Sequence, residues 1–167
     1  VMLDRLAGNE AMKQHLQAAL AGGKLAHSLL LCGEKGCGAG FAARCLAADY
    51  LYPQGGPAAE AVLAGQAPEC LEGRGEGASG QIRIERIRQV RDEVFHSALS
   101  AQGRVVLLYG AQNLNSASAN ALLKVLEEPP EGVLFLLTAS SPAAVLATIR
   151  SRCAAYDLSP LPPAQCA

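Results

Sequence analysis

At 167 residues, half of them apolar, the chain is long enough to build one hydrophobic core and too short for a second. Its formal net charge of −1 argues against a globally basic nucleic-acid surface, and no apolar run approaches the length of a bilayer span. Few aromatics, no Trp and an abundance of Ala and Leu weigh against an all-β sandwich.

The first periodic segment, 10–20, is expected to be a helix, with Asn9 as its N-cap and Gly22-Gly23 as its stop. Ser28-Leu29-Leu30-Leu31-Cys32 is a solidly apolar run, expected as a strand buried on both faces. A glycine-rich turn, 33–40, leads into an Ala-rich helix that ends before Pro53. Residues 53–80 are rich in Gly, Pro and Ala and are expected to form a long loop with at most a short helix over 60–63. Helical periodicity returns over 84–99, with Ile84, Ile87, Val90, Val94 and Ala98 on one face.

Residues 105–109 are expected to be a second buried strand, ended by Gly110. An amphipathic helix carrying Ala119, Leu122, Leu123 and Leu126 then stops at Pro129-Pro130. A third strand is expected at 133–138, a helix from Pro142 to about Arg150, and a fourth strand at 154–158. Apolar strands alternating with helices imply an α/β fold around a mostly parallel sheet of about five strands, covered on both faces.

Six cysteines (Cys32, Cys37, Cys45, Cys70, Cys153, Cys166) are scattered without a CxxC pair. With no recognisable export signal, they are expected to be small packed thiols in a cytoplasmic protein.

The turn Gly33-Glu34-Lys35-Gly36-Cys37-Gly38-Ala39-Gly40 sits between a strand and a helix, where a phosphate loop GxxxxGK[ST] belongs. Gly33 and Gly38 are in register with its glycines, but Ala39 replaces the lysine and Gly40 the magnesium-binding hydroxyl. Losing the lysine removes a charge-assisted contact worth roughly 1.5–3 kcal/mol. Lys35, in the variable part of the loop, is the one nearby cation available to substitute. An ATPase of this type also needs carboxylates at the end of the second strand to hold magnesium and orient water. Here that strand ends in Tyr109-Gly110 followed by Ala111-Gln112, with no acid. Hydrolysis and binding of ATP and magnesium by this chain are therefore not expected.

Two later segments carry a resemblance. Ser118-Ala119-Asn120-Ala121-Leu122-Leu123-Lys124-Val125-Leu126-Glu127-Glu128-Pro129-Pro130 closely resembles a signature of the bacterial clamp-loader subunits, AAA+ proteins of the DNA polymerase III holoenzyme. Thr148-Ile149-Arg150-Ser151-Arg152-Cys153 is similar to the SRC motif of that family, and His27-Ser28 to its His-Ala before the first strand. The resemblance runs from about Leu3 to Leu158.

It implies a three-layer P-loop NTPase (AAA+) base domain over 1–160, with 161–167 beginning a linker to lid and collar domains. Within the family, an SRC motif beside a defective loop looks like the delta-prime kind of subunit. Gamma/tau subunits are similar but keep the lysine, the hydroxyl and the acids. The implied partners are gamma/tau and delta subunits and, through the assembled complex, the sliding clamp and primer-template DNA.

The implied role is to offer Arg152, with Ser151 and Cys153 at the interface, as an arginine finger to ATP on a neighbouring subunit. A guanidinium suits that role because it carries a permanent charge on a planar fork of donors. Thr138 stands where the family has its sensor for the terminal phosphate, although a polar residue at a strand end is an equal explanation. His27 is expected to be packed and hydrogen-bonded rather than a ligand.

Arg83, Arg86, Arg88 and Arg91 either form a solvated helix face beside Glu85, Asp92 and Glu93 or meet DNA phosphates. Many relatives carry a four-cysteine zinc knuckle, but here that segment holds only Cys70, so no metal is expected. The alternative to a silent subunit is an active gamma/tau-like ATPase. A small-molecule kinase with a decayed loop would leave both later motifs unexplained.

Overall fold

The computed structural model describes Leu3 and residues 9–33, 38–75, 80–96, 103–129 and 132–158. Five strands form one sheet: β1 (Ser28–Cys32), β2 (Cys70–Gly73), β3 (Arg104–Tyr109), β4 (Val133–Ala139) and β5 (Ala154–Asp157). Their order is β2-β3-β4-β1-β5, and every pairing is parallel. Six α-helices accompany them: α1 (Glu10–Ala21), α2 (Ala39–Leu51), α3 (Pro57–Leu63), α4 (Ile84–His96), α5 (Ser116–Glu127) and α6 (Ala147–Arg150).

The alternation of side chains along each strand sorts the core into two layers. Leu29, Leu31, Val105, Leu107, Leu134 and Leu136 face one way and pack with Leu16 of α1, Leu46 of α2 and Val62 of α3. Leu30, Val106, Leu108, Phe135 and Leu137 face the other way, against Ile87 and Val90 of α4, Leu122 and Leu126 of α5 and Ile149. The α/β expectation is met, with helices on both faces of the sheet.

Three details depart from the expectations, and one falls outside the described residues. The segment 53–80 is not a bare loop. It contains α3 and the edge strand β2, whose residues are mostly half-buried and so lack an apolar signature. The helix expected from Pro142 is interrupted: a 3-10 turn covers Pro142–Ala144, Val145 and Leu146 are extended, and only Ala147–Arg150 is α-helical. Burying Val145 against the second layer holds the chain out of the helical path. Asn9 precedes α1 in a left-handed conformation (φ 54°, ψ 42°) and makes no side-chain cap. Ala98 and Leu99 lie outside the described residues.

The start of α5 is better fixed than the sequence reading anticipated. The Asn115 side chain accepts from Ser118 N at 2.9 Å, while Asn115 N donates to Ser118 Oγ at 3.0 Å, a reciprocal capping box. Among the described residues no helix is long and apolar enough to cross a membrane.

Phe135 lies on central strand β4 with no solvent exposure, whereas Ala155 on edge strand β5 is exposed. Phe135→Ala should lower unfolding free energy by about 3–5 kcal/mol and Ala155→Ser by less than about 0.5 kcal/mol, read from denaturant midpoints at constant slope.

Candidate functional site

A crevice outside the carboxyl ends of the strands is where open α/β sheets bind ligands, and here it lies at the ends of β1, β3 and β4. Gly33 leaves β1 by donating its N–H to Ala139 O at 3.0 Å. Lys35, Gly36 and Cys37 fall outside the described residues. The chain re-enters at Gly38, whose φ of +81° suits glycine, and α2 begins with Ala39 and Gly40. No side chain caps this helix start.

Beside it stands Tyr109, the last residue of β3. A Cβ added at Gly40 would lie 3.5 Å from Cε1 of the Tyr109 ring. One turn further along α2, Arg44 Nε donates to the Tyr109 hydroxyl at 2.9 Å, and that hydroxyl donates to Glu72 Oε1 at 3.0 Å. Arg44 also pairs with Glu72 (3.3 Å), as does Arg74 (3.2 Å), and the Arg74 guanidinium lies 4.8 Å from the Tyr109 ring centroid. Arg86 of α4 turns back to donate to the backbone carbonyl of Glu72.

Gly110, which follows Tyr109, has φ +80°, and a Cβ there would come within 2.8 Å of Asn113 Nδ2. An acid could not be placed at 110 without moving that turn. Its N–H donates to Thr138 Oγ1 at 3.2 Å, so the buried sensor-like threonine is bonded to the end of the neighbouring strand.

Burial holds the Tyr109 phenol up at about 12, with the nearby Glu72 charge acting in the same direction and the Arg44 hydrogen bond against it. The thiols of Cys32 and Cys153 are pushed up to about 11 and that of Cys70 to about 12, chiefly by burial. These three and Cys45 are buried or half-buried, as expected of small packed cysteines. Cys37 and Cys166 lie outside the described residues.

The SRC segment lies elsewhere. Ser151, Arg152 and Cys153 connect α6 to the first residue of β5, at the entry end of the sheet. Arg152 Nε and Nη2 reach Glu127 Oε1 at 3.0 and 2.8 Å, and Nη1 donates to Thr148 O (3.1 Å) and Ser151 Oγ (3.2 Å). Glu127 is the last residue of α5, so the two sequence signatures meet as an exposed ion pair. Cys153 packs against the second core layer.

Of the arginines in and just before α4, Arg83 and Arg88 are exposed, Arg91 lies 3.6 Å from Asp92, and Arg86 is engaged as above. His27 shares a 2.9 Å hydrogen bond with Ser28 Oγ; it is hydrogen-bonded as expected but exposed rather than packed.

Comparison with known proteins matches the family model described as DNA polymerase III, delta subunit, over residues 8–162. The chain belongs to this clamp-loader family. It is 34% identical over 166 residues to the gamma/tau subunit of DNA polymerase III from Mycobacterium tuberculosis, covering 95% of the chain and 28% of that protein. It is 45% identical over 92 residues to the delta' subunit from Yersinia pestis, covering 55% and 27%. The chain thus spans about a quarter of the length of these curated relatives. Among solved structures, a gamma subunit-related protein from Thermotoga maritima superposes with TM-score 0.62 at 21% identity, over 89% of this chain and 47% of its own. The RuvB branch-migration motor from Thermotoga maritima superposes with TM-score 0.64 at 17% identity, over 95% and 49%. The chain therefore shares the fold of these two proteins, a parallel sheet with helices on both faces.

Sequence reasoning missed Arg44, Glu72 and Arg74. Glu72 and Arg74 fell in the segment read as a loop, and Arg44 is the one cation of an Ala-rich helix. Only the parallel pairing of β2 with β3 brings them to Tyr109.

Because an unfolded chain releases a tyrosine proton near pH 10 and the native Tyr109 holds its proton to about 12, the unfolded state carries fewer protons between these values. Stability contributed by Tyr109 is complete below pH 10 and is lost as pH rises toward 12. Ultraviolet difference spectra of wild type minus Tyr109→Phe should show a phenol titrating near 12, and the urea midpoint of wild type should fall more steeply across that interval. A difference midpoint near 10 would contradict the buried placement.

Proposed function

We propose that this chain is the base domain of a catalytically silent clamp-loader subunit of the delta-prime kind, acting in the cytoplasm. In this reading it binds neither ATP, magnesium nor zinc itself and assembles with gamma/tau and delta subunits. The complex loads the sliding clamp on primer-template DNA, and Arg152 is directed at ATP held by an adjacent gamma/tau subunit.

The observation that carries this reading is the placement of Arg152. It precedes β5, whereas the loop residue Gly33 follows β1, and the two strands run parallel in register from Leu29↔Ala154 to Cys32↔Asp157. At about 3.3 Å per residue, the length of the strands puts Arg152 on the order of 15 Å from the chain's own loop. Its guanidinium is exposed at the edge-strand side of the sheet, where another subunit could reach it. An arginine so placed cannot serve its own phosphate site; it can serve one across an interface, stabilising charge on a transferred phosphoryl group.

A second reading, an active gamma/tau-like ATPase, is favoured by the 34% identity to a gamma/tau subunit over nearly the whole chain. Against it stand Ala39, Gly40 and Tyr109 at the positions of lysine, hydroxyl and acid. Equilibrium titration with a fluorescent ATP analogue and magnesium separates the two, since micromolar binding with turnover belongs to the enzyme alone. Arg83, just before α4, and Arg88 on it are exposed and are the arginines left to meet DNA phosphates in the assembled complex.

In a loader reconstituted with the full-length protein, Arg152→Ala should slow DNA-stimulated ATP hydrolysis by about ten-fold or more while assembly on size-exclusion chromatography is retained. Arg152→Lys should recover little, because lysine lacks the planar fork. Unchanged turnover in the alanine variant would remove the finger.

A further inference from the structure

The position of the old phosphate site is occupied as well as stripped. We infer that Tyr109, clamped by Arg44 and Glu72, fills the space over the first turn of α2 that magnesium and the outer phosphates would need, so that restoring the missing loop residues would not by itself restore nucleotide binding. This inference rests on the reading of 33–40 as a phosphate loop without its working groups.

The position of the ring makes the case. In the motif, residue 40 would be the hydroxyl that holds magnesium. That oxygen lies one bond beyond Cβ, and the ion about 2.1 Å beyond the oxygen, within about 3.5 Å of Cβ. The Tyr109 ring already stands 3.5 Å from a Cβ built on Gly40, with Cδ1 at 3.8 Å. A threonine at 40 would have its Cβ in van der Waals contact with the ring, and the ring stands as far from that Cβ as the ion would.

The ring is also held in place. Arg44 grips its hydroxyl from α2, Glu72 accepts that hydroxyl's proton from β2, and Arg74 covers the face while pairing with the same carboxylate. These groups come from the helix on one side of the crevice and the strand beside β3 on the other. Swinging Tyr109 aside would leave Arg44 and Glu72 without their shared phenol in a half-buried place. At the neighbouring strand end Thr138 is likewise bonded to Gly110 N. Among the described residues, Arg44, Tyr109, Glu72, Gly110 N and Thr138 are thus bonded to one another within the chain.

The test compares three variants of the full-length protein, each titrated with a fluorescent ATP analogue and magnesium after thermal unfolding has shown that it is folded. The first carries Ala39→Lys and Gly40→Thr, the second adds Tyr109→Phe, and the third adds Tyr109→Ala in place of the phenylalanine. The first two should bind weakly or not at all, because the ring remains. The third should bind at least about ten-fold tighter than the first. Should the alanine variant fail to fold, Tyr109→Asp, which keeps an acceptor for Arg44, opens the site instead. If the loop pair alone binds as tightly as a folded variant without the ring, Tyr109 is not the obstruction and the inference falls, while the silent-subunit reading stands. Tight Mg·ATP binding by the unaltered protein would overturn both.

Discussion

A parallel sheet whose central strands are apolar on both faces can exist in water only between two layers of helices. β1, β3 and β4 meet that condition: Leu29 and Leu31 face one layer while Leu30 faces the other, and Val105 to Leu108 and Leu134 to Leu137 repeat the pattern. Satisfying it fixes much of the remaining structure. Parallel strands need crossover connections, the crossovers are the covering helices, and their entries and exits fall at opposite ends of the sheet. The chain therefore presents two separate rims. The exit rim carries Gly33, Tyr109 and Thr138, and the entry rim carries Arg152 and Glu127.

In the proposed reading, the exit rim is a binding crevice whose ligand-holding groups have been replaced. Removing a lysine and a carboxylate from such a place leaves other polar groups behind, and polar groups in a half-buried cleft carry a desolvation cost unless they are bonded. Arg44 is such a group. Its position one turn into α2 points it at the crevice, and Tyr109 with Glu72 supplies the acceptors it requires. The cluster is thus a local solution to hydrogen bonding in a vacated cleft. Once formed, it makes the cleft a stable part of the domain, with Arg74 and Arg86 drawn in from the surface.

The central strands and the family were legible in the sequence because the responsible signals are local: uninterrupted apolar runs and two ordered motifs. β2 was not legible. As an edge strand it buries little on either face, so Cys70-Leu71-Glu72-Gly73 carries neither an apolar run nor a clean alternation, and only its pairing with Val105 to Leu108 makes it a strand. The Arg44–Tyr109–Glu72 cluster was hidden for the same reason, since its members are 28 or more positions apart in sequence and adjacent only through that pairing. The split of the expected helix after Pro142 reflects tertiary override, because burial of Val145 outweighs a modest local preference for helix. The capping box at Asn115 and Ser118, in contrast, had a readable local signal, a capping residue just ahead of an apolar helical period.

At the entry rim the proposed role of Arg152 has to be reconciled with its present bonds. The guanidinium is already engaged by Glu127, Thr148 O and Ser151 Oγ, which leaves little donor capacity unused. Exposed ion pairs of this kind are worth about 0–1 kcal/mol, whereas a phosphate oxygen offers a charge-assisted acceptor worth roughly 1.5–3 kcal/mol. In the proposed role, a phosphate brought by a neighbouring subunit would take the place of Glu127 as the charged acceptor. Until then the pair keeps a long side chain in one orientation at the end of α5, so less rotamer entropy is left to be lost on engagement. The bonds that occupy Arg152 in the isolated domain are weak enough to yield and ordered enough to aim it.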